Sequence, residues 1–409
     1  MYQLINILIV LSFYHHFHGG KNMPKAIVLG CGMVGSVMAT DLAGDEAFEV
    51  TVADTRPGAL EAAVRRAAAQ GRTVGTVEVD WSDAGALTDL IGPYDIVLGA
   101  MASTIGFASL RTIIEAGKNF CDITFMPEDA MDLDELARER GVTAVVDCGV
   151  APGMSNLLAG YGASLLDECE NIEIYVGGLP RERRWPFEYK AGFSPYDVVE
   201  EYMRPSRIVE NGEVVVREAL SEPELMDFDG VGTLESFNTD GLRSLARTMR
   251  VPFMKEKTLR YPGHIELMRV FRETGLFSHD PIEVGGEKVR PIDVISALMF
   301  PKWTYEEGEE DLTVMRVTVS GCKDGRSVQH TWDLLDSYDQ ETKATSMSRT
   351  TAFPCAIMAR LVGTGAFERP GVINPELIGP DAGIVDHLIR AHADRGVVYT
   401  HREEERESA

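Results

Sequence analysis

A short apolar run that ends in a glycine-rich turn constrains this chain more than any other stretch of it. Residues 26–29 are Ala-Ile-Val-Leu, and residues 30–35 have the pattern Gly-x-Gly-x-x-Gly. In a strand–turn–helix unit, the first glycine permits the tight turn, the second lets a pyrophosphate approach the backbone, and the third lets the helix pack against the strand. A helical pattern follows over 33–42, and its N-terminus offers free N–H groups to phosphates. The stretch therefore predicts a dinucleotide-binding unit rather than a purely structural glycine turn.

A carboxylate ends the next apolar strand, which is predicted over 49–53. Asp54 lies 24 positions after Gly30, which is near the spacing of the carboxylate that binds the adenosine ribose in such units. A carboxylate accepts a hydrogen bond from the ribose 2′-OH and repels a 2′-phosphate, so we expect NAD as the cofactor in preference to NADP. Arg56 lies two residues further on and could turn towards a phosphate instead.

Strands and helices alternate strictly from residue 26 to residue 146, with short loops between them. Such alternation predicts a parallel sheet with helices on both faces, and ligands of these sheets bind beyond the carboxyl ends of the strands. We therefore expect the residues that follow the strands to share one edge of the sheet. The candidate cofactor-binding residues at this edge are Gly30, Gly32, Met33, Val34, Gly35, Asp54, Asp80 and Met101.

The pattern changes at residues 149–153, which we interpret as a crossover between two domains. Beyond it, residues 171–176, 312–319 and 327–334 alternate between apolar and polar side chains, as strands with one buried face do. Asn211-Gly212 splits another alternating run and predicts a hairpin with a type I′ turn. The predicted fold class is α/β, with a doubly wound parallel Rossmann sheet and a second α+β domain whose sheet is mainly antiparallel.

These elements predict a division of the chain into domains. We expect the Rossmann domain at 23–150, completed by a helical return at about 345–400, and a substrate or oligomerisation domain at 151–344. Residues 1–22 are expected to be a leader outside the fold, because their apolar run is too short to span a bilayer and no Lys or Arg precedes it. The charged run at 402–407 is predicted to be disordered.

Composition narrows the classes of partner. The chain has 39 Lys and Arg residues against 64 Asp and Glu residues, a formal net charge of −25. Such a charge argues against nucleic-acid or anionic-membrane partners. The six cysteines are scattered without a Cys-x-x-Cys pair, so we expect neither a disulfide framework nor a metal site, and a cytoplasmic location.

Six motifs, taken together and in this order, resemble those of the saccharopine dehydrogenase/reductase family. They are the glycine motif at 30–35, Asp-Ile-Thr-Phe at 122–125, Gly-x-x-Pro-Gly at 149–153, Gly-Gly-Leu-Pro at 177–180, Thr-Asp-Gly-Leu-Arg at 239–243 and Lys-Thr-Leu-Arg-Tyr-Pro-Gly-His at 257–264. The resemblance covers about residues 23–380, and the last two motifs are most similar to the lysine 6-dehydrogenase branch. It implies a Rossmann domain, an inserted substrate domain and a homo-oligomer.

Oxidation of an amine by hydride transfer sets requirements that point to particular residues. A base must take the proton of the amine, which makes Asp122 a candidate base or amine anchor and His264 a candidate proton shuttle. An amino-acid substrate also needs a cation for its carboxylate, for which Arg243 and Arg260 are the candidates. Ser103 is expected to cap the helix after the fourth strand and to touch the substrate.

Each of these candidates also has a structural interpretation that the sequence leaves open. Asp122 could be a turn carboxylate, His264 a structural histidine, and each arginine the partner of a surface or interdomain ion pair.

Three functions agree with these features. The first is NAD-dependent oxidative deamination of the ε-amine of lysine to 2-aminoadipate 6-semialdehyde, with release of ammonia. The second is reductive coupling of an aldehyde and an amine, as saccharopine reductase or carboxynorspermidine dehydrogenase performs it. The third is a non-catalytic dinucleotide-binding regulator. We favour the first, because two arginines suit a small amino-acid substrate better than a product with more charged groups.

Overall fold

The computed structural model describes residues 23–45 and 47–406, and it confirms the predicted fold class. A parallel sheet of seven strands forms the first unit, and a mixed sheet of nine strands forms the second. The predicted leader at 1–22 lies outside the described residues. Within the part that is described, no helix is long and apolar enough to cross a membrane.

The elements are numbered in chain order. The strands are β1 (Lys25–Leu29), β2 (Glu49–Asp54), β3 (Gly75–Glu78), β4 (Ile96–Gly99), β5 (Asn119–Asp122), β6 (Thr143–Val145), β7 (Glu168–Pro180), β8 (Ser206–Glu210), β9 (Glu213–Arg217), β10 (Glu224–Phe228), β11 (Gly232–Asn238), β12 (Phe253–Arg260), β13 (Ile282–Val284), β14 (Glu287–Val289), β15 (Asp311–Lys323), β16 (Arg326–Ser337), β17 (Gly371–Ile373) and β18 (Tyr399–Glu405). The α-helices are α1 (Met33–Leu42), α2 (Pro57–Ala69), α3 (Ala84–Ile91), α4 (Ser103–Glu115), α5 (Asp134–Glu139), α6 (Met154–Ser164), α7 (Pro195–Met203), α8 (Leu245–Thr248), α9 (His264–Glu273), α10 (Pro291–Trp303), α11 (Ser346–Gly363) and α12 (Ala382–Ala393).

The first sheet has the strand order β17-β6-β5-β4-β1-β2-β3, and neighbouring strands run parallel. Residues 26–29 of the central strand β1 are fully buried, because helices cover both faces of the sheet. One of these helices, α11, comes from the C-terminal part of the chain and packs against α1, β4 and β5. Parallel order brings the carboxyl ends of β1, β2, β4 and β5 to one edge, where the ligand site lies.

The second sheet has the order β10-β11-β12-β7-β15-β16-β18, and the β8–β9 hairpin joins it through β12. Its pairs are antiparallel except for β12 and β7, which run parallel. The β8–β9 hairpin turns at Asn211 and Gly212, whose φ angles of 52° and 80° confirm the predicted type I′ turn.

One local prediction was wrong for the residues that the structure describes. Residues 402–405 of the charged run predicted to be disordered belong to β18, which pairs with β16 from Leu334–Tyr399 to Val328–Glu405. Residue 407 of that run lies outside the described residues. Main-chain hydrogen bonds to a neighbouring strand order this segment, and its charged side chains suit an edge strand exposed to water. A 3₁₀ turn, Ala130–Leu133, precedes the short helix α5.

An ion triad around the buried Asp41 links the first helix, α1, to the C-terminal segments of the described chain. The Asp41 carboxylate, in α1, accepts hydrogen bonds from Arg360 Nη1 and from Arg395 Nε, both at 2.7 Å. Burial raises the pKa of Asp41, but the two guanidinium groups outweigh this effect and lower it. The triad therefore fixes α1 to α11 and to the segment after α12.

Replacing Asp41 by Asn should lower the free energy of unfolding by about 1.5–3 kcal/mol, because Arg360 and Arg395 would lose charged hydrogen bonds to Asp41. Both arginines are partly exposed, and Arg360 keeps Asp45 as a partner at 3.4 Å. Glu61→Gln is the matched control, because Glu61 pairs with Arg65 on an exposed face of α2 and such pairs contribute about 0–1 kcal/mol. Denaturant unfolding measures both variants.

The pH dependence gives a second check on Asp41. A carboxyl whose pKa is lowered on folding contributes stability above its unfolded pKa, and loses it as the pH falls through its folded pKa. The difference between wild type and Asp41→Asn should therefore shrink as the pH falls below about 4. Equal stability of the two proteins at neutral pH would contradict the assignment.

Candidate active site

A cavity of about 810 Å³ lies between the two units, at the carboxyl edge of the first sheet. The first unit contributes the glycine turn and the residues that follow β2, β3, β4 and β5, and the second contributes residues of β7, β12 and α7 and those that follow β11. All eight predicted cofactor-binding residues line this cavity. The arrangement is the one that a doubly wound sheet imposes on its ligand.

The three glycines have the geometry that a dinucleotide motif requires. Gly30 has a φ of +97°, and a Cβ there would lie 2.2 Å from the Ala100 carbonyl oxygen. A Cβ at Gly35 would lie 2.0 Å from the Gly30 carbonyl oxygen, whereas one at Gly32 would have no heavy atom within 4 Å. No side chain caps α1 at Gly32, so N–H groups of its first turn remain for phosphates. The residues therefore fit a dinucleotide.

Asp54 is already engaged by donors of the protein. Its Oδ2 accepts a hydrogen bond from the Cys31 N–H at 2.8 Å, and Arg56 binds both oxygens through Nε at 3.0 Å and Nη2 at 3.1 Å. Burial raises the pKa of Asp54, but the hydrogen bonds from Arg56 and Cys31 lower it overall. A ribose hydroxyl must therefore displace the Arg56 side chain, which is 67% exposed and able to move.

Strand β12 supplies the cavity wall that faces the first unit. Because side chains alternate along a strand, Glu256, Thr258 and Arg260 point into the cavity, whereas Lys257 lies on the opposite face and pairs with Glu224. The sequence reasoning found Arg260 and missed Glu256. The period-two pattern over the strand was the signal that could have identified it.

Arg260 is held in one orientation. Its Nη1 donates to the Leu259 carbonyl oxygen at 2.9 Å, its Nε to the Tyr202 hydroxyl at 3.2 Å, and its Nη2 to the Tyr189 hydroxyl at 3.4 Å. The guanidinium lies over the Tyr189 ring, 4.5 Å from its centroid, and Nη2 is 3.7 Å from a carboxyl oxygen of Glu201. These contacts direct a fixed cation at the cavity.

Two glutamates share this wall, of which Glu256 is buried and Glu201 is partly exposed. Glu256 Oε2 accepts hydrogen bonds from Thr239 Oγ1 at 2.6 Å and from the Gly241 N–H at 3.1 Å. Burial raises the pKa of Glu256 to about 8, and it raises the pKa of Glu201 to about 7 although Arg260 opposes the shift. Both carboxyls therefore exchange protons near neutral pH, as acid–base groups must. Glu201 lies on α7 and carried no motif that sequence reasoning could use.

His264 lies outside the cavity lining and is fully buried. Its Nδ1 is 2.9 Å from the Phe187 carbonyl oxygen, and its Nε2 is 3.0 Å from the Tyr202 hydroxyl. Burial, with Arg260 nearby, lowers the pKa of His264 to about 3. The ring is therefore neutral, and because a carbonyl only accepts, Nδ1 carries the hydrogen and Nε2 accepts from Tyr202. This geometry favours the structural interpretation of His264 and corrects the expectation of a proton shuttle.

Arg243 is an interdomain partner rather than a second cation of the cavity. Its Nη2 donates to Asp147 Oδ1 at 3.2 Å, and its Nη1 donates to the Met126 carbonyl oxygen at 2.8 Å. Its guanidinium lies 4.4 Å from the centroid of the Phe125 ring, and that ring lines the cavity. The expected pair of arginines is therefore not brought together.

Asp122 ends β5 but lies beneath the cavity floor. It is fully buried, and its Oδ1 accepts hydrogen bonds from the Thr124 N–H at 2.9 Å and from Thr124 Oγ1 at 2.6 Å. Burial raises the pKa of Asp122 to about 6. Thr124 lines the cavity and Asp122 does not, which favours the turn interpretation over contact with an amine.

Ser103 lines the cavity but does not cap α4. Ala102 is the N-cap of that helix and makes no side-chain cap. The Ser103 hydroxyl instead donates to Asp197 Oδ1 on α7 at 3.0 Å. Ser103 thus joins the two units at the cavity, which corrects the expected helix cap.

Comparison with known families and solved structures agrees with this architecture. The model of the saccharopine dehydrogenase NADP binding domain matches residues 26–145, and that of the saccharopine dehydrogenase C-terminal domain matches residues 149–397. A solved structure of apo saccharopine dehydrogenase (L-Glu forming) from Saccharomyces cerevisiae covers 93% of this chain and 100% of its own, with a TM-score of 0.76 and 17% identity. This likeness shows a shared fold.

The sequence identity to known relatives is low, but each match extends over most of this chain. The chain is 22% identical over 455 residues to saccharopine dehydrogenase (NADP(+), L-glutamate-forming) of Schizosaccharomyces pombe, covering 90% of this chain and 97% of that protein. It is 25% identical over 333 residues to carboxynorspermidine synthase of Vibrio cholerae, covering 74% of this chain and 78% of that protein. It is 21% identical over 452 residues to mitochondrial alpha-aminoadipic semialdehyde synthase of Bos taurus, with 92% of this chain covered but 47% of that longer protein.

The glycines give a prediction that separates cofactor binding from folding. Gly32→Ala should weaken NADH and NADPH binding without changing the midpoint of thermal unfolding, because its methyl group would enter the open space that phosphates need. Gly35→Ala should lower the unfolding midpoint, since its Cβ would meet the Gly30 carbonyl oxygen and overpacking costs about 1–3 kcal/mol. Fluorescence titration and calorimetry measure the two effects. Equal changes in both variants would contradict this division.

Proposed function

The chain belongs to the saccharopine dehydrogenase family of oxidoreductases, and we propose that it oxidises a C–N bond of an amino acid that carries a second amine. The charge balance of the cavity supports this proposal most directly. Away from the nucleotide end, Arg260 is the one cation among the described lining residues, whereas Asp197, Glu201, Asp240 and Glu256 supply carboxyls. Asp240 is already paired with Arg207, which lies outside the lining, so the other three carboxyls carry the argument. A ligand with one carboxylate and more than one amine complements this wall.

The same balance disfavours substrates that are rich in carboxylates. A product with three carboxylates, as saccharopine has, would set two of them against a largely acidic wall. Unpaired like charges at close range cost several kcal/mol in a site shielded from water, of the order of 4 kcal/mol at 4 Å. We therefore propose lysine, with one carboxylate and two amines, as the substrate.

Arg260 and Glu201 together suit the head group of an amino acid. The guanidinium would bind the α-carboxylate through two parallel hydrogen bonds, and the Glu201 carboxyl beside it would accept from the α-ammonium. Arg260 and Glu201 form an ion pair at 3.7 Å without a direct hydrogen bond, so the two halves of the zwitterion would bind beside each other. The distal amine then extends along β12 towards Glu256.

The glycine turn, Asp54 and Met101 would hold the dinucleotide at the opposite wall of the cavity. The bound nicotinamide supplies the acceptor for the hydride that leaves the carbon next to the distal amine. The chain's own residues would bind the substrate head and receive the proton of the amine, and the hydrogen bond between Ser103 and Asp197 would hold the two units together beside the substrate. Ordering both partners in one enclosed site accounts for much of the rate enhancement.

The excess of carboxyls also favours a second candidate, the reductive coupling of an aldehyde and an amine. A polyamine-like product with one carboxylate and several amines would satisfy Arg260 and several of the acidic side chains. The similarity to the relative named carboxynorspermidine synthase supports this second candidate.

One assay separates these functions. We expect L-lysine with NAD or NADP to give reduced dinucleotide and one equivalent of ammonia. Consumption of reduced dinucleotide by an aldehyde with a diamine, without turnover of lysine, would support the coupling reaction instead. Binding of NADH without turnover of any amine in either direction would support a non-catalytic regulator.

Arg260 provides a prediction about the substrate head. Arg260→Lys should raise the KM for lysine about tenfold or more, because the loss of a charged hydrogen bond costs about 1.5–3 kcal/mol. The affinity for NADH should not change, because Arg260 faces the substrate wall. Arg269→Ala is the control, since Arg269 lies on the exposed side of α9. Steady-state kinetics measure the KM for lysine in both variants. An unchanged KM in Arg260→Lys would show that Arg260 does not bind the substrate.

Asp54 and Arg56 provide a prediction about the cofactor. We propose that wild type prefers NAD, and Arg56→Ala should raise the ratio of kcat/KM for NAD to that for NADP about tenfold, because Asp54 would then repel a 2′-phosphate without a neighbouring cation. Asp54→Ala should lower the same ratio. Arg65→Ala, on the exposed face of α2, is the control. A ratio that none of the variants changes would show that these residues do not select the cofactor.

A further inference from the structure

We propose that Glu256 is the catalytic residue that takes the proton from the distal amine of the substrate. This role rests on the proposed function and adds to it a particular oxygen atom. Glu256 is 4% exposed as a residue and yet lines the cavity. Its neighbour on the same face of β12, Thr258, separates it from the cation at Arg260. Glu256 therefore stands where the far end of a substrate anchored at Arg260 arrives.

A chain of hydroxyl groups fixes the direction of the Glu256 carboxyl. Thr239 Oγ1 donates to Glu256 Oε2 at 2.6 Å, and Thr239 Oγ1 lies 2.8 Å from Thr258 Oγ1. Because the single hydroxyl hydrogen of Thr239 is used on Glu256, Thr258 must donate to Thr239. The Gly241 N–H adds a second bond to the same oxygen, Oε2.

Saturation of Oε2 leaves Oε1 as the atom that exchanges the proton. Oε2 accepts two hydrogen bonds, and the described residues place no donor on Oε1. When the carboxyl is neutral, its hydrogen therefore sits on Oε1. This arrangement requires glycine at position 241, because a Cβ there would lie 2.2 Å from the Glu256 carboxyl carbon.

Burial, together with neighbouring acids, makes Glu256 a stronger base than a carboxylate in water. Burial is the main cause of its raised pKa, and Glu201 and Asp240 add to it. The charged groups that face this part of the cavity are Glu201 and Asp197 on α7, Asp240 after β11 and Arg260 on β12, and Arg207 on β8 pairs with Asp240 at 2.8 Å. A substrate ammonium that enters this acidic region releases its proton to the carboxylate more readily than it would to an ordinary glutamate.

The proposed step conserves atoms and charge. One N–H bond of the –CH2–NH3⁺ group breaks, and its proton moves to Oε1 of the ionised Glu256 carboxylate. The nitrogen lone pair then forms the C=N bond while the adjacent C–H bond breaks, and its electron pair leaves with the hydrogen for the oxidised nicotinamide. The products are an iminium ion, the neutral Glu256 carboxyl and reduced dinucleotide. Water then adds to the iminium carbon and ammonia leaves.

The pH profile of three variants tests the inference. In wild type, kcat/KM for lysine should rise as the pH rises through about 8, because only the ionised Glu256 accepts a proton. Glu256→Gln should lower kcat about a hundredfold or more and lose this inflection, while the dissociation constant of NADH stays the same. Glu256→Asp should recover part of the activity together with the inflection. Glu213→Gln, on the exposed strand β9, is the matched control and should behave as wild type.

Calorimetry gives a readout that does not depend on turnover. L-lysine is titrated at pH 7 into the protein without added cofactor, in two buffers of different ionisation enthalpy. Wild type should release protons on binding, because the ligand's ammonium favours the ionised form of Glu256. Glu256→Gln should release fewer protons, and Glu213→Gln should match wild type.

The outcomes distinguish the two proposals. Lysine turnover by wild type, with kcat within threefold and the same inflection in Glu256→Gln, would overturn the role of Glu256 alone. Equal proton release by wild type and Glu256→Gln would overturn it as well. Absence of turnover of any amine by wild type would overturn the proposed function, and the catalytic role of Glu256 with it.

Discussion

Burial of ionisable side chains in and beside the cavity between the two units is the constraint on which this site depends. Burial raises the pKa of Glu201 to about 7 and of Glu256 to about 8, and it lowers the pKa of His264 to about 3. The same physical effect thus assigns opposite roles, because it always disfavours the charged form. The carboxyls become groups that exchange protons at neutral pH. The histidine becomes a neutral acceptor that orients Tyr202, which in turn accepts from Arg260.

Features that depend on neighbouring residues could be predicted from the sequence. The glycine turn needs glycine at positions 30 and 35, because a Cβ there would lie 2.2 Å from the Ala100 carbonyl oxygen and 2.0 Å from the Gly30 carbonyl oxygen. Asn211 and Gly212 favour a hairpin turn without help from the rest of the chain. The alternation of strands and helices likewise predicts a parallel sheet and the edge at which its ligand binds. These signals are local, and they were enough to predict residues of the first unit that line the cavity.

The substrate half depends on contacts between distant segments, which a single sequence does not reveal. Arg243 was recognised as a cation, but its direction is set by Asp147, 96 positions away. His264 is fixed by the Phe187 carbonyl group, 77 positions away. The charged segment of β18 is ordered by β16 rather than by its own composition. The type of each residue therefore indicated which chemistry its side chain could perform. The direction of the side chain could be seen only in the folded chain.

The late return of the chain to both sheets has a consequence for its synthesis on the ribosome. Both β17, at the edge of the first sheet, and β18, at the edge of the second, follow α11. Asp41 meets Arg395 across 354 positions. The dinucleotide unit therefore emerges first but keeps an unpaired strand edge and an uncovered face of α1 until the C-terminal segments have been translated. Long-range closure of this kind is slow and leaves apolar surface exposed to aggregation meanwhile. Nascent chains therefore expose this strand edge and this helix face until residues 371–405 have been made.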